Sequence, residues 1–412
     1  MGDQMLTAAE AAARLGVKRA TIYAYVSRGV LHRTVSDDGR TSLFRRDDVD
    51  NLVEGRRSPE GELRTLITTS IAQLDDETLQ YRGFDVGRLL TDGATFADIA
   101  NVLWQTDRER PSPWPSAREL AMPLSPEAAA TIAQVADSSA IAAFQLIAAI
   151  AASHDPLRND LSPHSVRHAA QRLITAMITW LPITSSPSLS APDHQDASLA
   201  RQLWHRLSPI EDPSDDMVRA LDVSLCLLAE HGFATSTFAL RVAASTRANP
   251  YGAVAAGLGA LGGPLHGQAS ALVHSMFAPV RDLERNAPPY AVAASTLGQW
   301  QTERGFVPGF GHRVYDQRDP RLGILLQYLR AGWPESAVGP VADEMIDIYR
   351  QRSAKVANID LGLGALTVLA DMPPGAGEAI FAVARTAGWV AHMLEEYEQE
   401  PLRFRPVARY AG

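Results

Sequence analysis

Alanine and leucine return at every third or fourth position over most of this chain, while alternating β-branched residues are scarce. That period predicts a helical body from about residue 63 onward. The most apolar run, AIAAFQLIAAIAA at 140–152, is too short to span a bilayer and carries Gln145, so it predicts a buried helix. Two proline- and serine-rich interruptions, PSPWPS at 111–116 and ITSSPSLSAPDHQD at 183–196, predict loops. The first 57 residues are patterned differently. Thr7-Ala8-Ala9-Glu10 has the form of a capping box opening a short helix. Leu15-Gly16-Val17 predicts a tight turn, and KRATIYAYVSRG at 18–29 a second helix, with Ile22, Tyr23 and Val26 on one face and Gly29 closing it. DDGRTSLFRRDDV at 37–49 predicts a hairpin turning at Asp38-Gly39, then a helix starting near Asp47. The polar stretch EGRRSPEGE, with Pro59 and Gly61, predicts a linker. The expected domains are therefore 1–57, a linker at 58–62, and a body over 63–412.

The early stretches EAAARLGV, ATIYAYVSRGVL and FRRDDVDNLV are similar to the MerR/excisionase type of DNA-binding domain, a helix-turn-helix with a wing. Charge changes that picture. Residues 1–60 hold ten basic against nine acidic side chains, so the charge signal for phosphate contacts is weak. Arg14, Lys18, Arg19 and Arg28 nevertheless cluster around the second helix. A DNA-binding role and a retained folding or docking element both stay open. The whole chain of 412 residues is 46% hydrophobic with a net charge of −9, which excludes a surface that seeks nucleic acid or anionic membrane throughout. Its one cysteine, Cys226, lies in an apolar helical run, where it reads as a small buried hydrophobe. It allows no disulfide within the chain and fits a reducing cytoplasm. The N-terminus carries acids early and lacks a long apolar core, unlike a secretory signal. No internal repeat, Cys/His metal cluster, P-loop or GxGxxG motif after a strand occurs.

Candidate chemistry sits in three stretches. In GGPLHGQAS at 262–270, Pro264 suits the first turn of a helix and places His266 in it. The missing side chains of Gly262, Gly263 and Gly267 admit a ligand close to the backbone. A helix N-terminus disfavours imidazolium, so a neutral His266 would donate a hydrogen bond, which suits an enolate. A loop histidine satisfied by backbone is the plainer reading. VPGFGHRVYDQRDPR at 307–321 repeats the device: Gly309 and Gly311 bracket Phe310, and His312 follows. Arg321, in a fixed turn after Asp319-Pro320, suits bidentate capture of a carboxylate, or is simply solvated. AEHGFATSTFALRV at 229–242 puts His231 beside Gly232; alone, it reads as a histidine at a helix C-terminus.

In this order the three stretches resemble the citrate synthase family. NIDLGLG at 358–364 is similar to the segment holding that family's catalytic aspartate, here Asp360. FAVARTAGWVAHMLEE at 381–396 is similar to the following helix, whose arginine is Arg385 here, and 67–90 to the family's opening hairpin and helix. The resemblance runs from about residue 63 to the C-terminus. It implies an all-α fold: a large helical domain carrying a dimer interface, and a small helical domain over roughly 270–370 that closes on the substrate. It also implies condensation of acetyl-CoA with oxaloacetate and water, giving citrate and CoA. Asp360 would be the base, His266 the donor to the thioester oxygen, and His312 the group polarising the ketone. His231, Arg321 and Arg385 would hold oxaloacetate. Arg405, matched through LRFRPVARY at 402–410, would do so from the partner subunit of a homodimer. No metal or redox cofactor is expected, since acetyl-CoA enters as substrate, and residues contacting CoA are unassigned beyond the glycine-rich 305–311.

The chain also departs from the family's pattern. Ala234 stands where an asparagine is usual, GPLHGQAS replaces GPLHGGAN, and Leu361 and Gly362 replace aromatic residues after the aspartate. These departures bear on acyl and keto-acid specificity. Two alternatives follow: a 2-methylcitrate synthase using propionyl-CoA, and a DNA-binding transcriptional regulator whose body only senses ligand. A sensor has no need of a base, and Asp360 argues against the second.

Overall fold

The computed structural model describes residues 5–15, 22–23, 25–26, 31, 33–36, 41–46, 48–49, 67–105, 113–184, 197–263, 269–284, 286–353 and 355–404. The chain divides into two compact units, 1–68 and 69–412.

In the first unit, β1 (Met5–Thr7) leads directly into α1 (Ala8–Leu15). The capping box is present: Glu10 N donates to Thr7 Oγ1 at 3.3 Å, and Thr7 N donates to Glu10 Oε2 at 2.8 Å. Strands β2 (Thr34–Val35) and β3 (Ser42–Arg45) pair antiparallel as the hairpin the sequence predicts. β1 adds to the other edge of β3, with Leu6 opposite Phe44, a strand the periodicity did not signal. Ala8, Ala11, Ala12 and Leu15 pack on Ile22, Leu31, Phe44 and Val49 in a small core. The tight turn at Gly16-Val17, Lys18, Arg19, Arg28, Gly29, the Asp38-Gly39 turn, Asp47 and the linker lie outside the described residues.

The second unit opens with a meander of β4 (Ala72–Leu74), β5 (Leu79–Tyr81) and β6 (Phe84–Asp85), then α2 (Val86–Thr91) and α3 (Phe96–Leu103). Helices follow: α4 (Pro126–Ala136), α5 (Ala140–Ser153), α6 (Pro163–Thr179), α7 (Leu199–Leu207) and α8 (Asp215–Leu228). The chain continues through α9 (Thr235–Ser245), α10 (Pro250–Leu261), α11 (Ala269–Arg281) and α12 (Pro289–Arg304). It closes with α13 (Pro320–Gly332), α14 (Val338–Arg352), α15 (Ile359–Leu369) and α16 (Ala376–Tyr397).

One start signal recurs. Ser125-Pro126, Ser162-Pro163, Asn249-Pro250 and Asp319-Pro320 each put a capping side chain before a proline in the first turn. The proline lacks an N–H that would have no partner there, and the cap satisfies another. The apolar run at 140–152 is α5, buried through Ile141, Phe144, Ile147 and Ala151. Among the described residues, no helix is long and apolar enough to cross a membrane.

Helix α16 runs through the middle of this packing. Ala387 O accepts from Trp104 Nε1 at 2.8 Å, Gly388 N donates to Ala229 O at 3.1 Å, and Tyr397 Oη donates to Ala248 O at 2.6 Å. Its last turns carry a buried ionic chain. His392 Nε2 lies 3.1 Å from Glu230 Oε1 and His392 Nδ1 lies 3.0 Å from Arg241. Arg241 pairs with Glu395 and Glu396, and Glu396 also takes a two-pronged contact from Arg403.

Candidate active site

Two short segments lie side by side. Phe310 pairs with Ala357 in an antiparallel bridge, Gly311 N donates to Val356 O at 2.7 Å, and Asn358 N donates to Gly309 O at 2.9 Å. Gly309 and Gly311 have φ of 80° and 103°, which side-chain-bearing residues rarely adopt. The glycines flanking Phe310 therefore let the strand turn sharply and present His312 next to the start of α15. Asn358 fastens the pair: its Nδ2 donates to Gly311 O at 2.7 Å, while its Oδ1 caps Asp360 N at 3.0 Å.

Asp319 makes a second joint. Its carboxylate accepts from Arg321 Nε at 2.9 Å and NH2 at 2.7 Å, caps Arg321 N at 3.1 Å, and accepts from Ile359 N at 2.9 Å. The starts of α13 and α15 thus share one buried acid, and the Arg321 cation acts on the Asp360 carboxyl. Arg321 is the second residue of a helix, a more rigid setting than the turn expected from sequence. Asp319 takes the Nε edge of its guanidinium, so a ligand is left the NH1 side.

His312 Nδ1 accepts from Val314 N at 3.0 Å and Tyr315 N at 3.3 Å. These partners assign the ring proton to Nε2. Nε2 lies 3.4 Å from Arg321 NH2. Both groups are donors, so neither satisfies the other, and an oxygen acceptor between them would satisfy both. His231 stands edge-on to His312, ring centres 5.1 Å apart, with its Nε2 2.9 Å from the Tyr315 hydroxyl. Tyr81 fixes the loop beneath: its hydroxyl accepts from Glu230 N at 3.1 Å and contacts Glu230 O at 2.9 Å. Arg385 is buried, with Nε on Leu228 O at 2.9 Å and its guanidinium over Phe381.

The electrostatics follow from this crowding. Burial pushes the Asp360 carboxyl up to about 6; the Arg321 cation pulls it down and the Asp319 anion pushes it up. It is therefore ionised at neutral pH yet basic enough to take a proton. Burial, then Arg321, Arg385 and His312, hold His231 well below the usual imidazole range. Burial and Arg321 lower His312, against the pull of Asp319. Both rings are neutral at pH 7. The space thus combines a carboxylate base, a neutral imidazole donor and two fixed cations, which suits abstraction of a proton beside a carbonyl and stabilisation of new negative charge on oxygen.

Of the residues read from the sequence, the structure gathers His231, His312, Arg321, Arg385 and Asp360. His266 and Arg405 lie outside the described residues. Sequence reasoning missed Tyr315, Asn358 and the jointing role of Asp319. Asn and Asp just ahead of apolar helical runs were a readable signal for the last two.

Residues 63–407 match the family described as citrate synthase, C-terminal domain, and residues 5–57 match a helix-turn-helix domain. Citrate synthase of Haloferax volcanii is 31% identical over 386 residues, covering 87% of this chain and 96% of that protein. The 2-methylcitrate synthase of Mycobacterium tuberculosis H37Rv is 29% identical over 370 residues, covering 84% and 88%. Among solved structures, citrate synthase from Pyrobaculum aerophilum aligns with a TM-score of 0.68 at 23% identity, covering 92% of this chain and 95% of that one. A citrate synthase from Thermoplasma acidophilum, in a ternary complex with carboxymethyl coenzyme A and oxaloacetate, aligns at 0.65 and 23%, covering 84% and 94%. These likenesses span the helical body that gathers the two imidazoles, two arginines and the base, and the chain accordingly belongs to the citrate synthase family of acyl-transferring enzymes.

Proposed function

We propose that this protein condenses acetyl-CoA with oxaloacetate in the cytoplasm, as a homodimer with two such sites. Asp360 removes a proton from the acetyl methyl group. The enolate oxygen accepts a hydrogen bond from neutral His266. The enolate carbon then attacks the ketone carbon of oxaloacetate, whose oxygen gains negative charge and is met by His312 Nε2–H. Water cleaves the resulting citryl-CoA thioester, releasing citrate and CoA. Arg321, Arg385, His231 and the partner's Arg405 neutralise the two carboxylates of oxaloacetate. Closure of a small domain over roughly 270–370 excludes water during the reaction.

The observation that carries this reading is Asp360: a carboxyl held near 6 by burial, close to a guanidinium that can hold the second substrate. Propionyl-CoA is the competing donor, because a 2-methylcitrate synthase is nearly as similar as the citrate synthases. One methylene changes discrimination by only about 1–3 kcal/mol. The N-terminal unit adds a helix-turn-helix that we assign to DNA, with modest affinity. A thiol-release assay with oxaloacetate tests the enzyme, first with acetyl-CoA and then propionyl-CoA. The expected result is CoA release with acetyl-CoA at the higher kcat/KM. A reversed preference makes it a 2-methylcitrate synthase, and no release with either donor leaves the sensing regulator.

A further inference from the structure

We propose that Tyr315 is a positioning residue for oxaloacetate, acting through His231, whose ring orientation and tautomer its hydroxyl fixes; this rests on the reading that His231 holds oxaloacetate. A neutral imidazole has one N–H and one lone pair, and which nitrogen carries the proton depends on its partners. Burial, then the charges of Arg321 and Arg385, keep His231 neutral. Its Nε2 faces the Tyr315 hydroxyl at 2.9 Å. In this arrangement the phenol donates to Nε2 and the ring proton sits on Nδ1, which is left to donate to a substrate carboxylate. Burial keeps that phenol protonated and able to donate.

The phenol is itself held in place. Tyr315 is 2% exposed, its ring lies 4.7 Å from that of His312, and the Arg321 guanidinium sits 5.5 Å from its centre. The hydroxyl is thus a fixed point, and His231 presents one constant edge toward His312 and Arg321. Without it, the imidazole is free to flip about its Cβ–Cγ bond and exchange tautomers, so only part of the population matches the substrate.

Tyr315→Phe removes the oxygen and keeps the ring packing. In the full-length protein, oxaloacetate binding is measured by calorimetry, and KM and kcat by thiol release. Loss of one hydrogen bond predicts a roughly five- to tenfold rise in Kd and in KM for oxaloacetate, with kcat within about twofold. In a His231→Ala background, with His231→Asn as a second, adding Tyr315→Phe changes nothing further. An unchanged Kd overturns the inference. So does an equal loss without His231, which would mean the phenol acts directly on substrate. A wild-type protein that fails to bind oxaloacetate overturns the functional reading instead, and that result is read before any variant is made.

Discussion

At the scale of single residues, Asp360 ties chemistry to stability. Asp360→Asn is expected to lower kcat by about 10²–10⁴-fold, the usual contribution of a positioned base, while oxaloacetate still binds. Turnover within tenfold of wild type would exclude Asp360 as the base. The base must be ionised, so kcat/KM should fall on the acid side with a midpoint near pH 6, the folded-state value of Asp360. The same shift sets a stability profile. The folded value exceeds the ordinary 3.8, so Asp360 favours the fold below pH 3.8, and that contribution is lost as pH rises through about 6. At pH 7 the half-buried carboxylate costs at most about 3 kcal/mol, a cost that Asn avoids. Asp360→Asn should therefore melt higher than wild type above pH 6 and alike below pH 4. A melting difference independent of pH would contradict the assignment. Here the sequence was informative, because glycine-flanked histidines and an N-I-D helix start leave marks in the chain. Tyr315 left none: a tyrosine three residues past His312 has no periodic signature, and only the fold brings it to His231.

At the scale of elements, helix starts were legible because capping chemistry is local. The Ser-Pro, Asn-Pro and Asp-Pro pairs fix helix starts through contacts within three residues, so sequence suffices. β1 escaped notice because three residues carry no period, and its pairing with β3 depends on a partner some forty positions away. Among the described residues, α9, α12, α14 and α16 start without a side-chain cap. Ala234 is the N-cap of α9 and makes no side-chain hydrogen bond, and it stands where the family's asparagine is usual. Ala234→Asn should stabilise the protein by about 1 kcal/mol by satisfying a first-turn N–H. Thermal or urea unfolding checks this, and an unchanged or lower midpoint would show that the neighbouring loop, not the cap, governs this helix start.

At the scale of the whole molecule, the two units make separate predictions. A chain starting near residue 60 should keep thiol-release activity, since the N-terminal unit has its own core. The full-length protein should enrich palindromic DNA fragments at low salt and lose them steeply as salt rises. If truncation abolishes activity and no fragment is enriched, the N-terminal unit is a structural part of the enzyme. A mixture of Arg405→Ala and Asp360→Asn proteins should recover activity on subunit exchange, because each heterodimer then holds one intact site; no recovery after verified exchange would place Arg405 in its own subunit's site. The all-α body was legible from helical period, but the depth of α16 was not, because burial on all sides depends on which helices surround it. That depth has a consequence for biosynthesis. Ala376–Tyr397 is synthesised after its partners, yet Trp104, Ala229, Glu230, Arg241 and Ala248 all take contacts from it. These partners must therefore wait with their contacts unmade until α16 has left the ribosome. The residues of the N-terminal core have all been made by Val49, so that unit can fold while most of the message is still unread.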